Sequence, residues 1–268
     1  MPVFALTRAY AGPVSVSRSS GAAISGTRAL GAVLGQWAPL PDSALADRID
    51  WEGRKVARQF ALYAMLRAEQ SAFVRAQLRP SLSEVARILA LAQQAYRDLS
   101  GLLAGRSDAI LDAPVQGQWS VRELLRHTIA AELRYAAQIS YSARRRDDEP
   151  VAIPDPLLPC DRLSPPDPEF GTSRTAGVDV ILELLGRART RTSEALRDLP
   201  SASLDRPSLW GTLEVDVRTR LHQVAAHLVE GTLQCEDLLS ALGERSGQLR
   251  SLVRRVWSTR GAHEALAE

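Results

Sequence analysis

Two histidines are spaced so that they could bind a divalent metal ion together. His127 directly precedes Thr128, and His227 directly precedes Leu228. Thr128 and Leu228 each belong to the apolar seam of a predicted helix, that is, the line of residues repeated every three or four positions that forms the buried face. Each imidazole is therefore expected on the flank of a buried helix face, beside one interhelical groove. Helical bundles build metal sites from side chains on facing helices. The chemistry indicated is coordination of a divalent ion by two imidazole nitrogens.

A third ligand is harder to find. Catalytic zinc sites use three protein ligands and leave a fourth position for water or substrate. His222 lies about 140° around the helix from His227, and His263 lies in the C-terminal tail. Glu230, one turn after His227, could add a carboxylate oxygen, although a solvent-facing carboxylate is the simpler interpretation. Spacing alone leaves two alternatives, metal ligands or hydrogen-bonded polar residues at the rim of the core, and it favours the second.

No other catalytic pattern is present in the sequence. It contains no glycine-rich phosphate loop, no Gly-x-Ser-x-Gly turn and no cysteine–histidine pair at a recognisable spacing. Cys160 falls in a proline-rich stretch, and Cys235 falls on a helix seam as a small buried hydrophobe. These two positions predict neither a disulfide framework nor a cysteine metal site. Catalytic residues therefore stay unassigned.

Four segments have the apolar spacing of long helices packed against each other. Steps of three and four residues alternate along each segment, which indicates one buried helix face. Capping boxes at residues 81–84 and 120–123 predict two of the helix starts. The seams are Val85, Leu89, Ala92, Tyr96, Leu99 and Leu103; Val121, Leu124, Thr128, Ala131, Tyr135 and Gln138; Val178, Ile181, Leu185, Ala188, Thr192, Ala195 and Leu199; and Val217, Leu221, Val224, Leu228, Gly231, Cys235, Leu238 and Leu242.

The connections between these segments predict an all-α four-helix bundle over residues 79–245. Seven prolines lie from Pro150 to Pro168, between the second and third helices. Such a density excludes a helix or a central strand, so this stretch should be an extended crossover on the surface. The other two connections are short, as in bundles with one long crossover.

Two segments flank the predicted bundle. Residues 1–78 form an N-terminal extension, and a short strand or hairpin near its start is indicated by Val14 and Val16, which alternate with serines after a turn at residues 11–13. Residues 246–268 should form a C-terminal helical tail, with a short helix packed on the outside of the bundle.

The N-terminal extension is also expected to contain an additional helix, over about residues 43–78. Its apolar stripe would include Phe60, Tyr63 and Phe73. An isolated helix needs a surface on which to bury such a stripe. We therefore expect this helix to dock on the bundle or on a partner subunit.

Composition restricts the classes of partner. Aromatic residues make up 5% of the chain, and alanine, leucine, arginine and glutamate are abundant, which favours helix over strand. The formal net charge of +2 is too small to predict a nucleic-acid partner. No apolar run is long enough for a membrane span, and the N-terminus lacks a signal-peptide pattern, so a cytoplasmic location is expected.

Two sequence blocks resemble a known family. They are QWSVRELLRHTIAAE at residues 118–132 and VRTRLHQVAAHLVEGTLQCEDLL at residues 217–239. Both are similar to the signature helices of the DinB/YfiT-like superfamily of metal-binding four-helix bundles. The resemblance covers roughly residues 80–245. It implies that His127 is the first metal histidine and that His227 opens a His-x-x-x-His pair, whose second member is replaced here by Gly231.

The resemblance implies two functional hypotheses. The first is a DinB-like protein with a degenerate divalent-metal site, which holds no metal or a weakly bound Zn²⁺ or Ni²⁺ and serves as a non-catalytic, small-molecule-binding or stress-associated protein. Loss of one of three ligands should weaken metal binding severely. The alternative is a metal-dependent thiol transferase or isomerase that uses His127 and His227. Members of the superfamily commonly form homodimers, so the resemblance also implies a homodimer, which the sequence neither supports nor opposes.

Overall fold

The computed structural model of the protein describes residues 30–267, so the strand or hairpin predicted near residues 11–16 lies outside the described part. None of the helices in that part is long and apolar enough to cross a membrane. The helices are α1 (30–37), α2 (Arg58–Gln77), α3 (Glu84–Leu103), α4 (Val121–Arg144), α5 (Val178–Leu196), α6 (Val217–Ala241) and α7 (Gln248–Ala267), and the strands are β1 (Arg48–Trp51), β2 (Arg54–Ala57), β3 (Pro207–Trp210) and β4 (Leu213–Asp216).

Helices α3, α4, α5 and α6 form the predicted four-helix bundle, which confirms the fold class. Both α3 and α4 pack against α5 and α6. The α3 seam is buried along its whole length because its apolar positions follow the helical repeat. Two details differ from the sequence prediction: Ser83, not Ser81, caps α3, and the α5 seam passes through Leu196, while Ala195 is exposed.

One ion pair ties α4 to α5 inside the bundle. Glu132 and Arg189 are both almost fully buried and bond through Glu132 Oε1 and Arg189 Nη1. Burial raises the pKa of the Glu132 carboxyl, and the positive charge of Arg189 only partly offsets this rise. Removal of either partner would leave an uncompensated charge buried between the two helices.

The C-terminal segment is a 20-residue helix rather than the short helix predicted from sequence. Helix α7 lies between α3 and α2, and its Leu249, Val253 and Val256 enter a second hydrophobic core with residues of the N-terminal extension. Helices α3 and α7 approach closely at Gly261, where a Cβ atom would lie 2.7 Å from the Gln93 carbonyl oxygen. The predicted position outside the bundle is correct, since α7 packs on α3 and none of residues Gln248–Ala267 belongs to the bundle core. Only the predicted length was too short, because α2 covers the other side of α7.

The helix predicted over residues 43–78 is wrong in its start and in its buried face. Residues 48–57 form the antiparallel β1–β2 hairpin, and α2 begins only at Arg58. The hairpin turn uses Glu52 and Gly53, both with positive φ, as tight two-residue turns require. Phe60 and Tyr63 are 57% and 49% exposed. The face that packs on α7 consists of Ala61, Leu62 and Met65, with Arg58 beside it.

A second hairpin, β3–β4, precedes α6 and was not predicted from the sequence. Its strands pair from Pro207 with Asp216 to Trp210 with Leu213. Gly211 begins the turn with a φ of +62°. Asp216 then caps α6, since its carboxylate accepts a hydrogen bond from the Thr219 backbone N–H at 2.7 Å. This hairpin places Trp210 beside the groove between α4 and α6.

Candidate functional site

Helices α4 and α6 are neighbours in the bundle, and they bring His127 and His227 together. The two Nε2 atoms lie 3.3 Å apart, and the imidazole rings meet edge-on with centroids 5.2 Å apart. Both side chains are half-buried. The groove predicted from the helical spacing therefore exists, with one imidazole on each wall.

A backbone carbonyl determines how this histidine pair is hydrogen-bonded. His127 Nδ1 lies 2.8 Å from the carbonyl oxygen of Arg162, which can only accept. A neutral His127 therefore carries its proton on Nδ1 and presents a lone pair at Nε2. His227 must then donate from its own Nε2 for the two imidazoles to bond. The Arg162 carbonyl thus fixes the tautomer of His127, and His127 in turn fixes that of His227.

The environment of His227 favours the neutral imidazole. Burial, and secondly the neighbouring His127, lower the pKa of His227 to about 4. Its ring also meets Tyr135 edge-on at a centroid distance of 5.4 Å. At neutral pH this side chain is therefore an uncharged hydrogen-bonding group.

Gly231 lines the same cavity as the two histidines. A Cβ atom at this position would meet only Thr128 Oγ1, at 3.4 Å, which is an ordinary van der Waals contact. The position one turn after His227 thus faces the groove and has room for a side chain. Glycine leaves it without a ligand atom.

The remaining candidate ligands lie elsewhere or face solvent. Glu230 is exposed at the cavity wall, and its carboxylate bonds the Gln234 amide at 3.5 Å. His222 is exposed, and His263 Nδ1 instead lies 3.0 Å from Glu69 between α7 and α2. Residues 30–267 contain no group of three histidine, cysteine or acidic side chains arranged for a metal ion. Of the candidate ligands considered, His127 and His227 are the two that share one groove.

A cavity of about 390 Å³ opens beside the histidine pair. Its walls come from α4, α6, the β3–β4 hairpin and the residue before the α4 cap. Three of its side chains are large aromatic rings, and the wall contains one carboxylate. The lining residues are Trp119, Leu124, His127, Tyr135, Trp210, Gln223, Ala226, His227, Glu230, Gly231 and Gln234.

Trp119 and Trp210 bring aromatic surface to the cavity from two separate connections. Trp119 directly precedes Ser120, whose capping box with Glu123 starts α4, and its indole meets the His127 ring at a centroid distance of 5.0 Å. Trp210 belongs to the hairpin. Both indoles are about half exposed. Such a site suits a small molecule with a flat, apolar body.

A buried arginine lies one turn before the cavity on α6. Arg220 donates to the amide oxygens of Gln223 and Gln138, and its guanidinium lies 4.9 Å from the centre of the Tyr135 ring. Burial lowers the pKa of Arg220 and raises that of Tyr135. Gln223 and Tyr135 both line the cavity, so this arginine supports one of its ends.

The proline-rich crossover is held against α4 near the histidine pair. Arg134 donates to the Cys160 carbonyl, two residues before the Arg162 carbonyl that bonds His127. Burial raises the pKa of the Cys160 thiol to about 11, so this thiol stays protonated at neutral pH. The loop contributes a hydrogen-bond acceptor to the site and no thiolate nucleophile.

The sequence predicted that the two histidines and Gly231 lie at one groove, but it did not single out other residues that line or support the cavity. Arg220 and Gln223 precede His227 by seven and four residues, so the helical repeat could have placed them on its face. Trp210 carries no such signal because it lies in an unpredicted hairpin. The Arg162 carbonyl was equally hidden, since any residue type offers the same backbone acceptor.

Comparison with known proteins identifies the family of this chain. The family model of the DinB superfamily matches residues 91–234, more than half of the chain. Among solved structures, the chain is similar to YfiT from Bacillus subtilis, described as "a probable metal-dependent hydrolase with an unusual four-helix bundle topology"; the identity is 18%, the TM-score is 0.46, and the match covers 62% of this chain and 92% of that chain. No curated protein matches significantly. The matched residues include His127, His227 and Gly231, and the chain belongs to the DinB superfamily.

Proposed function

We propose that this protein is a DinB-like bundle with a degenerate divalent-metal site, acting as a non-catalytic, small-molecule-binding or stress-associated protein. The observation that carries the proposal is the glycine at position 231. It faces the groove that holds both imidazoles and supplies no ligand atom where the family resemblance places a third histidine. Two imidazoles without a third protein ligand should bind a divalent ion weakly.

The contacts around the histidines support a binding role. The two Nε2 atoms face each other across the groove, and Arg162 supplies a carbonyl partner behind His127. This arrangement gives both Nε2 atoms and His127 Nδ1 a hydrogen-bond partner without an ion. The cavity beside them has aromatic walls and a volume of about 390 Å³, which lies in the range of small-molecule sites.

The same proposal places the protein in the cytoplasm with a small-molecule ligand as its partner. The formal net charge of +2 gives no electrostatic reason for a nucleic-acid or membrane partner. A homodimer is proposed from the family resemblance alone.

A second candidate function is a metal-dependent thiol transferase or isomerase. One observation favours it: the 3.3 Å between the two Nε2 atoms equals the span of two nitrogens on one tetrahedral Zn²⁺, about 3.3–3.4 Å for Zn–N bonds of about 2.0–2.1 Å. A metal-dependent enzyme would require a further metal ligand, either Glu230 after a side-chain rearrangement or an additional water molecule. Because the donor set is incomplete, we derive no catalytic step through a metal.

Metal analysis distinguishes the two candidates. The protein would be purified without an affinity tag or chelator, and its metal content would be measured by mass spectrometry. The proposal predicts substantially less than one equivalent of any divalent metal per chain. One equivalent that survives extensive dialysis would favour the enzyme, because a Lewis acid would then be available at the site.

A further inference from the structure

The two most deeply buried arginines of the described chain have very different partners. Arg189 bonds the carboxylate of Glu132. Arg220 is 2% exposed, and within residues 30–267 its guanidinium forms no ion pair with an aspartate or glutamate. Its partners are two amide oxygens and the Tyr135 ring, and its Nε atom is buried without any hydrogen-bond acceptor. A buried cation is costly unless an anion compensates it.

The position of this cation relates it to the cavity. Gln223 and Tyr135 separate Arg220 from the cavity, and both line it. The Gln223 side chain is half-buried, and among residues 30–267 its amide has hydrogen bonds to Arg220 and to the Tyr135 hydroxyl, the latter at 3.5 Å. Rotation of this one amide would open the guanidinium to a bound molecule. The amide oxygen therefore occupies the place that an anionic acceptor would take.

We propose that this end of the cavity is a carboxylate subsite, in which the carboxylate of a small organic acid replaces the Gln223 amide oxygen on Arg220. The inference rests on the proposed function, because it names the class of ligand for the same cavity. A carboxylate accepts two parallel N–H bonds from a guanidinium, and such charge-assisted bonds are stronger than those to a neutral amide.

The rest of the lining specifies the body of this acid. Trp119, Tyr135 and Trp210 provide aromatic surface for a flat apolar group. The exposed carboxylate of Glu230 also belongs to the cavity wall, and it would repel a second negative charge on the ligand. The ligand class is therefore a monocarboxylic acid with an aromatic or similarly flat body.

The test compares phenylacetate with phenylacetamide, two probes of nearly the same shape that differ in charge. Binding would be measured by titration, with NMR shifts of the Trp119 and Trp210 indole N–H groups as the site-specific readout. We expect the acid to bind at least about 10-fold more tightly than the amide, because a hydrogen bond to a charged group is stronger than one between neutral groups.

Three variants test the role of the arginine. Arg220→Met removes the charge with a side chain of similar length and should abolish the preference for the acid. Gln223→Glu supplies the anion from the protein itself, so it should raise the Tm and also abolish the preference. Arg255→Met is the matched control, since Arg255 is exposed and lines a different groove; the preference should persist.

Equal affinity for the two probes, or a preference that survives in folded Arg220→Met protein, would overturn the carboxylate subsite. Tighter binding of phenethylamine than of phenylacetate would also overturn it, because Glu230 would then dominate the site. Binding of none of the probes would have the same consequence. The metal analysis uses no organic probe, so the degenerate-site proposal can fail or survive independently of these results.

Discussion

His127 and His227 meet through their Nε2 atoms at 3.3 Å, while the Arg162 carbonyl accepts a hydrogen bond from His127 Nδ1. The neutral pair should therefore hold His127 as the Nδ1–H tautomer and His227 as the Nε2–H tautomer. Nitrogen-15 NMR of labelled histidine distinguishes these forms. An Nε2–H tautomer for His127 would show that the crossover does not orient this ring.

The unfolding free energy should depend on pH through His227. Burial lowers its pKa from 6.5 to about 4 in the folded protein, so between these values the unfolded chain binds more protons. Stability should consequently fall as the pH drops from about 6.5 towards 4, by at most about 3 kcal/mol for this group. In His227→Gln protein this component should be missing from urea titrations at several pH values. Identical pH profiles for the variant and the wild type would contradict the assignment.

The bundle was predictable because its helices repeat apolar residues every three or four positions. That repeat also predicts that His127 and His227 flank one groove, where the structure places them. The same apolar pattern predicted the wrong buried face for α2. Phe60 and Tyr63 are exposed there, whereas the smaller Ala61 is buried. An apolar stripe alone does not identify the buried face of a helix that packs on one neighbour. In this case the partner α7 determines it.

Other parts of the site depend on contacts that no local pattern encodes. Trp210 reaches the cavity because a four-residue strand pairs with another across the Gly211 turn. The Arg162 carbonyl reaches His127 because Arg134 holds the crossover at Cys160. Both placements arise from tertiary structure between segments, so a single sequence offers no period from which to derive them.

The rotation of α6 can be tested by stability measurements. Leu221 and Leu228 are fully buried, whereas His222 is exposed. Leu221→Ala and Leu228→Ala should each lower the unfolding free energy by about 2–5 kcal/mol, and His222→Ala should change it by less than about 0.5 kcal/mol. Urea denaturation gives all three values. A loss in His222→Ala as large as that of either leucine variant would mean that the helix faces are assigned wrongly.

The buried ion pair predicts a non-additive double mutant. Arg189→Met leaves the Glu132 carboxyl buried without its partner, which should lower the free energy of unfolding by about 3–5 kcal/mol. Glu132→Leu combined with Arg189→Met removes both charges, and the double variant should be more stable than Arg189→Met alone. Additive losses in a double-mutant cycle, measured by urea denaturation, would indicate that the two groups do not interact.

Asp42 joins the N-terminal extension to the start of α7. Its carboxylate accepts hydrogen bonds from the backbone N–H groups of Gln248 and Leu249 at 2.9 and 2.8 Å, and these bonds, that of Leu249 first, lower the pKa of Asp42. Asp42→Ala should cost about 0.5–2 kcal/mol, as for other helix caps. Asp42→Asn keeps one acceptor oxygen, so it should lower the free energy of unfolding by less than Asp42→Ala does.

The stabilisation by Asp42 should also depend on pH. Because its folded pKa is depressed, the contribution is present above the unfolded value, 3.8, and is lost as the pH falls through the folded one. Amide hydrogen exchange at Gln248 and Leu249 reports the contact directly. Unchanged exchange at both amides in Asp42→Ala protein would exclude a capping role.

The most direct test of the degenerate-site proposal is to place a histidine at position 231, where the proposal finds a ligand missing. Gly231 lines the cavity, and a Cβ atom there would make only an ordinary contact with Thr128 Oγ1, so a histidine should reach the groove beside His227 and opposite His127. The change should also favour α6, because glycine costs about 1 kcal/mol relative to alanine inside a helix and histidine costs less. Gly231→Ala is the matched control, since it gives the helical benefit without a ligand.

The decisive measurement is titration of Zn²⁺ into wild-type, Gly231→Ala and Gly231→His protein by calorimetry, with Tm recorded at each metal concentration. We predict one tight equivalent and a metal-dependent rise in Tm for Gly231→His only, because a ligand bound to the native state stabilises it. Equally tight, stoichiometric binding by the wild type would contradict the account, since another group would then already complete the metal site.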